Sequence, residues 1–162
     1  MKIYTKSGDK LQTTTYKGRV YKSDLIIEVE GSLDEATSYL ALARASASKE
    51  DTKVILEKVI KKLFSLGSEF IGYTKDVIKE EDVLELENII DSFDGKFERK
   101  KEFVIPGKTV GGANVHIART AVRRLERRMV AYGLENEVKD VLYKYVNRLS
   151  DLLFTLGEWE DQ

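Results

Sequence analysis

The chain has 162 residues, one proline, one histidine and no cysteine, and although 34% of its residues are charged the formal net charge is −1. That fits one domain long enough to bury a core; it excludes disulfides, zinc-thiolate sites, thiol nucleophiles and His-rich metal centres, and argues against broad nucleic-acid affinity. No apolar run approaches the ~20 residues of a membrane span, and the start, Met-Lys-Ile-Tyr-Thr-Lys, lacks a signal-peptide hydrophobic stretch, so a cytoplasmic protein is expected.

Residues 1–30 are polar and rich in Thr, Gly and Lys, with one β-prone run at Leu25-Ile26-Ile27. They read as a loop-rich arm. The run Thr5-Lys6-Ser7-Gly8-Asp9-Lys10, followed by Thr13-Thr14-Thr15, combines hydroxyls, lysines and a glycine. Such a loop can wrap phosphates, or be a polar arm only. At Ser32-Leu33-Asp34-Glu35 the spacing is that of a capping box, which predicts a first helix starting there with Leu33, Ala36, Leu40, Ala43 and Ala47 on one face. A second helix is expected over about 53–74 and a third over about 81–93, the latter ended by Asp94-Gly95.

Residues 96–112 form a connection. Within it Gly107-Lys108-Thr109 resembles the end of a Walker loop, but position 102 is Glu where that loop needs glycine, so the motif is rejected. Gly111-Gly112 can hold an anion at a helix start or serve as a hinge. The fourth helix, about 113–132, carries Val115, Ala118, Val122, Leu125 and Met129 as its apolar stripe, and Arg119, Arg123 and Arg127 at i, i+4, i+8 with Glu126 between the last two. At about 100° per residue that row flanks the stripe. It reads either as a polyphosphate site at a helix interface, since guanidinium forks suit phosphate, or as a solvated, salt-bridged face. His116, one turn earlier, reads as a packing or structural residue rather than a catalytic base.

The fifth helix runs from about 136 to near the C-terminus. Its Asn147, Asp151 and Phe154 lie at i, i+4, i+7, roughly opposite the Leu stripe; they read either as ordinary surface with one exposed aromatic or as a second face buried against another subunit or lining a cleft. The expected fold is therefore all-α, a five-helix bundle over 32–160 with the arm at 1–30, in a single domain. No nucleophile–base–orienter set is visible, so an enzyme built this way works by positioning and charge stabilisation, with the reactive group supplied from outside the chain.

Together these blocks closely resemble the helical-bundle type of ATP:cob(I)alamin adenosyltransferase. The resemblance runs through Tyr4 to Lys10, Gly31 to Glu35, Phe103-Val104-Ile105-Pro106-Gly107, His116-Ile117-Ala118-Arg119, Arg123 to Arg127, and Asn147 to Phe154. It implies a homotrimer with active sites between neighbours, and transfer of the 5′-deoxyadenosyl group of ATP, accompanied by Mg²⁺, to cob(I)alamin with release of triphosphate. By residue it implies ATP contacts from Thr5, Lys6, Ser7, Gly8, Thr13, Thr14 and Lys22 in the arm, and from Arg123, Glu126, Arg127 and Asn147 across the interface. Asp34 and Arg119 match a pair bridging subunits, and with Arg123 they form the expected catalytic group. Phe103 matches a residue shielding the lower face of the corrin, with Asp151 and Phe154 near the cobalamin. A reductase and an adenosylcobalamin-dependent enzyme are the implied protein partners; no nucleic acid or membrane is. The chain departs from the family's usual pattern at Leu11-Gln12, Lys17-Gly18 and Thr37. Two other readings stand beside this one: an ATP-binding sensor or scaffold that has lost transfer, and a basic-helix nucleic-acid binder, which the net charge disfavours.

Overall fold

The computed structural model describes residues 3, 4, 6, 8–97 and 105–162. Five helices make the body: α1 (Leu25–Ser46), α2 (Glu50–Phe70), α3 (Glu80–Asp91), α4 (Val110–Gly133) and α5 (Asp140–Glu160). The arm is more regular than the sequence suggests. Strands β1 (Gln12–Thr15) and β2 (Gly18–Tyr21) pair antiparallel, Gln12 opposite Tyr21 and Thr15 opposite Gly18. The threonines at 13–15 and Val20 are β-formers, and Gly18, at φ 131°, lets the chain turn after Tyr16-Lys17.

α1 begins at Leu25 rather than Ser32. The Asp24 side chain accepts a hydrogen bond from the Ile26 N–H at 3.0 Å and caps the helix there. Leu25-Ile26-Ile27 is its first turn, because burying Ile26 and Val29 in the core outweighs the β preference of that run. Ser32 is consequently buried inside the helix and caps nothing. At the other end of the bundle α5 starts at Asp140, four residues later than its apolar period predicts. The preceding Lys139 is held extended, its ammonium 2.8 Å from Glu69 and 2.6 Å from Asp76.

α4 lies between α1 and α5, α2 packs on α1, and α3 packs on α5. Ala36, Leu40 and Ala43 of α1 meet a core containing Val115, Ala118, Val122 and Leu125 of α4, all fully buried. The alanines let two backbones approach closely, and each large side chain buried here contributes roughly 1.5–3 kcal/mol. The functional consequence is that α4, the helix with the arginines, is clamped on two sides and leaves the remainder of its surface free.

Candidate active site

α4 carries two sets of arginines with different company. Arg124 Nη1 lies 3.3 Å from Glu35 and Arg128 Nε 3.4 Å from Glu28, so both reach across to α1. Arg119, Arg123 and Arg127 face elsewhere, and none has a carboxylate partner among the described residues. Arg127 Nη1 instead donates to the Arg123 carbonyl at 3.1 Å. The Arg119 guanidinium lies 5.9 Å from the Phe154 ring centroid, and its buried Nε has no hydrogen-bond partner among the described residues. Desolvation, and then the positive charge of Arg123, pull its pKa below the usual guanidinium range. An unpaired cation held beside like charge in partly dry surroundings is poised for an anion.

α5 supplies the neighbouring groups. The Asn147 amide donates to Glu126 at 2.9 Å and fixes that carboxylate beside the arginine row. Phe154, 37% exposed, stands edge-on to the His116 ring at 5.9 Å. His116 is the buried packing residue its sequence context indicates. It rests on Gly157, where a Cβ would come within 2.6 Å of Nε2. Burial, and then Arg119, push its pKa down against a smaller opposing pull from Asp161, which keeps the imidazole neutral. Asp151 is held by Arg148 at 2.7 Å, and Arg148 also reaches Glu87 of α3 at 2.9 Å.

The structure thus brings Arg119, Arg123, Glu126, Arg127, Asn147 and Phe154 onto the adjoining faces of α4 and α5. It does not bring the arm to them. Neither strand packs on α4, so Thr13 and Thr14 of β1 lie apart from the row. Within the arm Gly8 and Lys22 do meet: a Cβ on Gly8 would lie 3.1 Å from the Lys22 ammonium. Lys6 is exposed, with its ammonium 6.0 Å from the Tyr4 ring centroid. Asp34 likewise forms no ion pair with Arg119 within one chain. It lines a groove of about 220 Å³ between α1 and α2, with Glu30, Leu33, Thr37 and the exposed Phe64. Thr5, Ser7 and Phe103 lie outside the described residues.

Two arrangements escaped sequence reasoning. The first is the pairing of Arg124 and Arg128 with Glu35 and Glu28, partners far away in sequence that carry no local signal. The second is the C-terminal pair Glu160 and Asp161, both buried. Here a signal exists, because acids at a helix C-terminus oppose the helix dipole and so must serve something else. Asp161 is also the answer at Gly111-Gly112. That pair is no hinge but the first turn of α4, and the anion at its start is the Asp161 carboxylate, which a Cβ on Gly112 would overlap.

The site is thus carried by an all-α five-helix bundle whose α4 presents guanidiniums without a carboxylate partner among the described residues, with Arg119 beside Phe154. The family model for cobalamin adenosyltransferase matches residues 3–160, and the chain belongs to that family. It is 38% identical over 167 residues to a corrinoid adenosyltransferase of Citrobacter freundii, covering 99% of this chain and 95% of that one. With a corrinoid adenosyltransferase of Bacillus subtilis it shares 39% identity over 161 residues, 95% of this chain and 83% of that one. Among solved structures it resembles a variant PduO-type ATP:corrinoid adenosyltransferase from Lactobacillus reuteri complexed with cobalamin and ATP. That match has a TM-score of 0.90 and 29% identity, and covers 99% of this chain and 91% of that one.

Proposed function

We propose that the chain transfers the 5′-deoxyadenosyl group of ATP to the cobalt of cob(I)alamin, yielding adenosylcobalamin and triphosphate. The observation that carries this reading is the row Arg119–Arg123–Arg127, without a carboxylate partner among the described residues and with Arg119 beside Phe154, on a helix whose other two arginines, Arg124 and Arg128, are ion-paired. In the reaction the Co(I) electron pair attacks the ribose C5′, a Co–C bond forms, the C5′–O bond breaks, and its electron pair leaves on the triphosphate. The nucleophile arrives with the substrate, so no protein base or nucleophile is needed. The chain has to stabilise charge growing on the leaving phosphates, which fixed guanidiniums do well. Arg123 is exposed at the centre of the row and is the main candidate.

Glu126, Asn147 and Arg127 hold the nucleotide in this reading, and Phe154 and Asp151 border the corrin, with Phe103 on its lower face. Thr5, Lys6, Ser7, Gly8, Thr13, Thr14 and Lys22 reach the phosphates from a neighbouring subunit. The separation of arm and arginine row within one chain supports this division. So does the placement of Asp34 in an acid-lined groove away from the Arg119 it is paired with in the resemblance. An interface joining two different patches gives a ring when its rotation closes; three copies is the number that resemblance implies. Mg²⁺ enters with ATP, whose phosphate oxygens are the donors it prefers; among the described residues no group of three acidic or histidine side chains could hold a metal ion. No described helix is long and apolar enough to cross a membrane. Co(I) is strongly reducing, and the reduced cytoplasm is the compartment that suits it.

Protein mixed with ATP, Mg²⁺ and chemically reduced cobalamin tests the reading. The visible spectrum develops the cobalt–carbon product, with one triphosphate released per turnover. ATP binding without either product would overturn transfer and leave the nucleotide-sensing alternative.

A further inference from the structure

α3 packs along α5, and apolar contact holds it there: Val83 and Leu86 of α3 are buried in the common core. Two ion pairs cross the same seam. Lys144 of α5 reaches Glu80 at 2.6 Å. One turn further on, Arg148 Nε donates to Glu87 at 2.9 Å, and its Nη1 donates to Asp151 Oδ2 at 2.7 Å, one turn along α5. All of these side chains are at least one-third exposed, so neither pair adds much to stability. The second pair nevertheless does something the first does not. A guanidinium is a rigid planar fork. With one nitrogen fixed on α3, another grips Asp151 from a set direction. The Asp151 side chain is 52% exposed, so packing does not choose its rotamer; the bridge does. Its Oδ2 is taken, while Oδ1 has no hydrogen bond among the described residues. Asp151 lies one turn from both Asn147 and Phe154 on the site face of α5.

We propose that Arg148, braced by Glu87 of α3, is a positioning residue for cobalamin: it holds Asp151 by one carboxylate oxygen and leaves the other to accept an N–H from an amide on the corrin rim. This rests on the reading that Asp151 borders the corrin. The corrin carries carboxamide side chains around its edge, and a carboxylate is a strong acceptor for their N–H groups. A carboxylate already fixed in direction loses less freedom when the ligand arrives. The nucleotide contacts are secured separately, because Asn147 is held by Glu126 and not by the bridge.

The test measures the KM for chemically reduced cobalamin and the KM for ATP; neither depends on the folded fraction, so a destabilised variant remains informative. Arg148→Ala should raise the KM for cobalamin about three- to tenfold, the cost of ordering a freed side chain on binding, and leave the KM for ATP within about twofold. Arg148→Lys, which keeps a charge beside Asp151 without the fork, raises it less. Glu87→Ala raises it in the wild-type background and not in the Arg148→Ala background, because Glu87 acts only through Arg148. Lys144→Ala, which breaks the other pair on the same seam, leaves both KM values unchanged. Asp151→Ala raises the KM for cobalamin by itself, and adding Arg148→Ala raises it no further. If Asp151→Ala raises the KM for cobalamin and Arg148→Ala leaves it unchanged or lowers it, the bridge only decorates the seam and the inference is overturned. A rise in Lys144→Ala equal to that in Arg148→Ala overturns it in favour of simple closure of the seam. A further rise in the Asp151→Ala, Arg148→Ala double variant overturns the route through Asp151. An unchanged KM for cobalamin in Asp151→Ala overturns the Asp151 reading and this inference with it.

Discussion

Arg123 and Arg124 are adjacent in sequence, equally charged and both exposed, yet they belong to different faces of one helix. Arg124 and Arg128 cross to Glu35 and Glu28 and tie α4 to α1. Arg119, Arg123 and Arg127, turned by roughly 100° from that set, find no acid among the described residues. The contrast teaches that partner supply, not residue type or spacing, separates an arginine that ties two helices together from one without a described counter-ion. A fold that only needed charge balance could have placed a carboxylate beside Arg119. This one leaves its Nε without a described partner and its pKa depressed by desolvation and Arg123, a standing cost that an anionic group from outside the chain would relieve.

The sharpest way to break the comparison is Arg123→Ala. With the leaving phosphate charge deprived of one fixed donor, turnover at saturating ATP should fall about 10²–10³-fold, with the fold intact by circular dichroism. Near wild-type turnover would place Arg123 with the structural arginines and remove its role.

Asp34 and Arg119 test whether the unpaired face is completed by a neighbour. Asp34→Ala should weaken assembly or activity, because it leaves Arg119 without a counter-charge at an interface. Asp34→Arg combined with Arg119→Asp should recover part of the assembly lost in either single variant. Light scattering that reports an unchanged trimer in both single variants would show that the bridge is not needed structurally; a monomeric wild type would overturn the architecture.

The helical body was largely legible because its signal is repetition. Apolar residues three and four apart recur on α2, α4 and α5, and the structure buries Leu56, Leu63, Leu125, Leu149 and Leu156 as that period requires. Helix starts were less legible because they depend on who caps them. Ser32 has the right neighbours for a cap, but Asp24 takes the role once Ile26 is buried. α2 and α4 are capped or braced by Glu160 and Asp161, more than 50 residues away, which no local rule anticipates. In the site, the arginine row could be read from spacing alone. Its lack of partners among the described residues could not, and neither could the joining of Glu126 to Asn147, since both depend on how α1 and α5 pack beside α4.

The comparison extends to ionisable groups and gives a smaller, graded effect. On the site face His116 is buried, and its ring nitrogens have no hydrogen-bond partner among the described residues; its pKa is pushed below 6.5, first by burial and then by Arg119. At the end of α5 burial works to raise the pKa of Glu160 and Asp161, but the N–H and hydroxyl donors outweigh it and leave both below their ordinary 4.5 and 3.8. In each case the unfolded chain takes up the proton first as pH falls, so stability declines with acid. The losses come in sequence: His116 contributes one that begins near pH 6.5, and the carboxylates a second that begins near pH 4. Melting temperature against pH should show both stages, and His116→Phe should remove the first alone. A first stage that persists in that variant would assign it to another group.

The smallest expected effect falls on the paired face. Arg128 Nε and Glu28 are 3.4 Å apart, with their side chains 46% and 45% exposed. At such exposure water screens the attraction, and ordering two long side chains offsets part of it, so the pair contributes only about 0.2–1 kcal/mol. In a chain of this size that corresponds to at most roughly 2–4 °C in Tm. Arg128→Ala and Glu28→Ala should each shift Tm within that range, and the double variant should lose less than the sum of the two. The coupling should shrink in 1 M salt, where the screening length is about 3 Å. Turnover should stay within about twofold of wild type, because Arg128 points toward α1 and away from Phe154 and Asn147. A loss of turnover in Arg128→Ala approaching that of Arg123→Ala, at matched folded fraction, would mean that the paired arginines also hold the nucleotide, and the division of α4 into a structural and a reactive face would be lost.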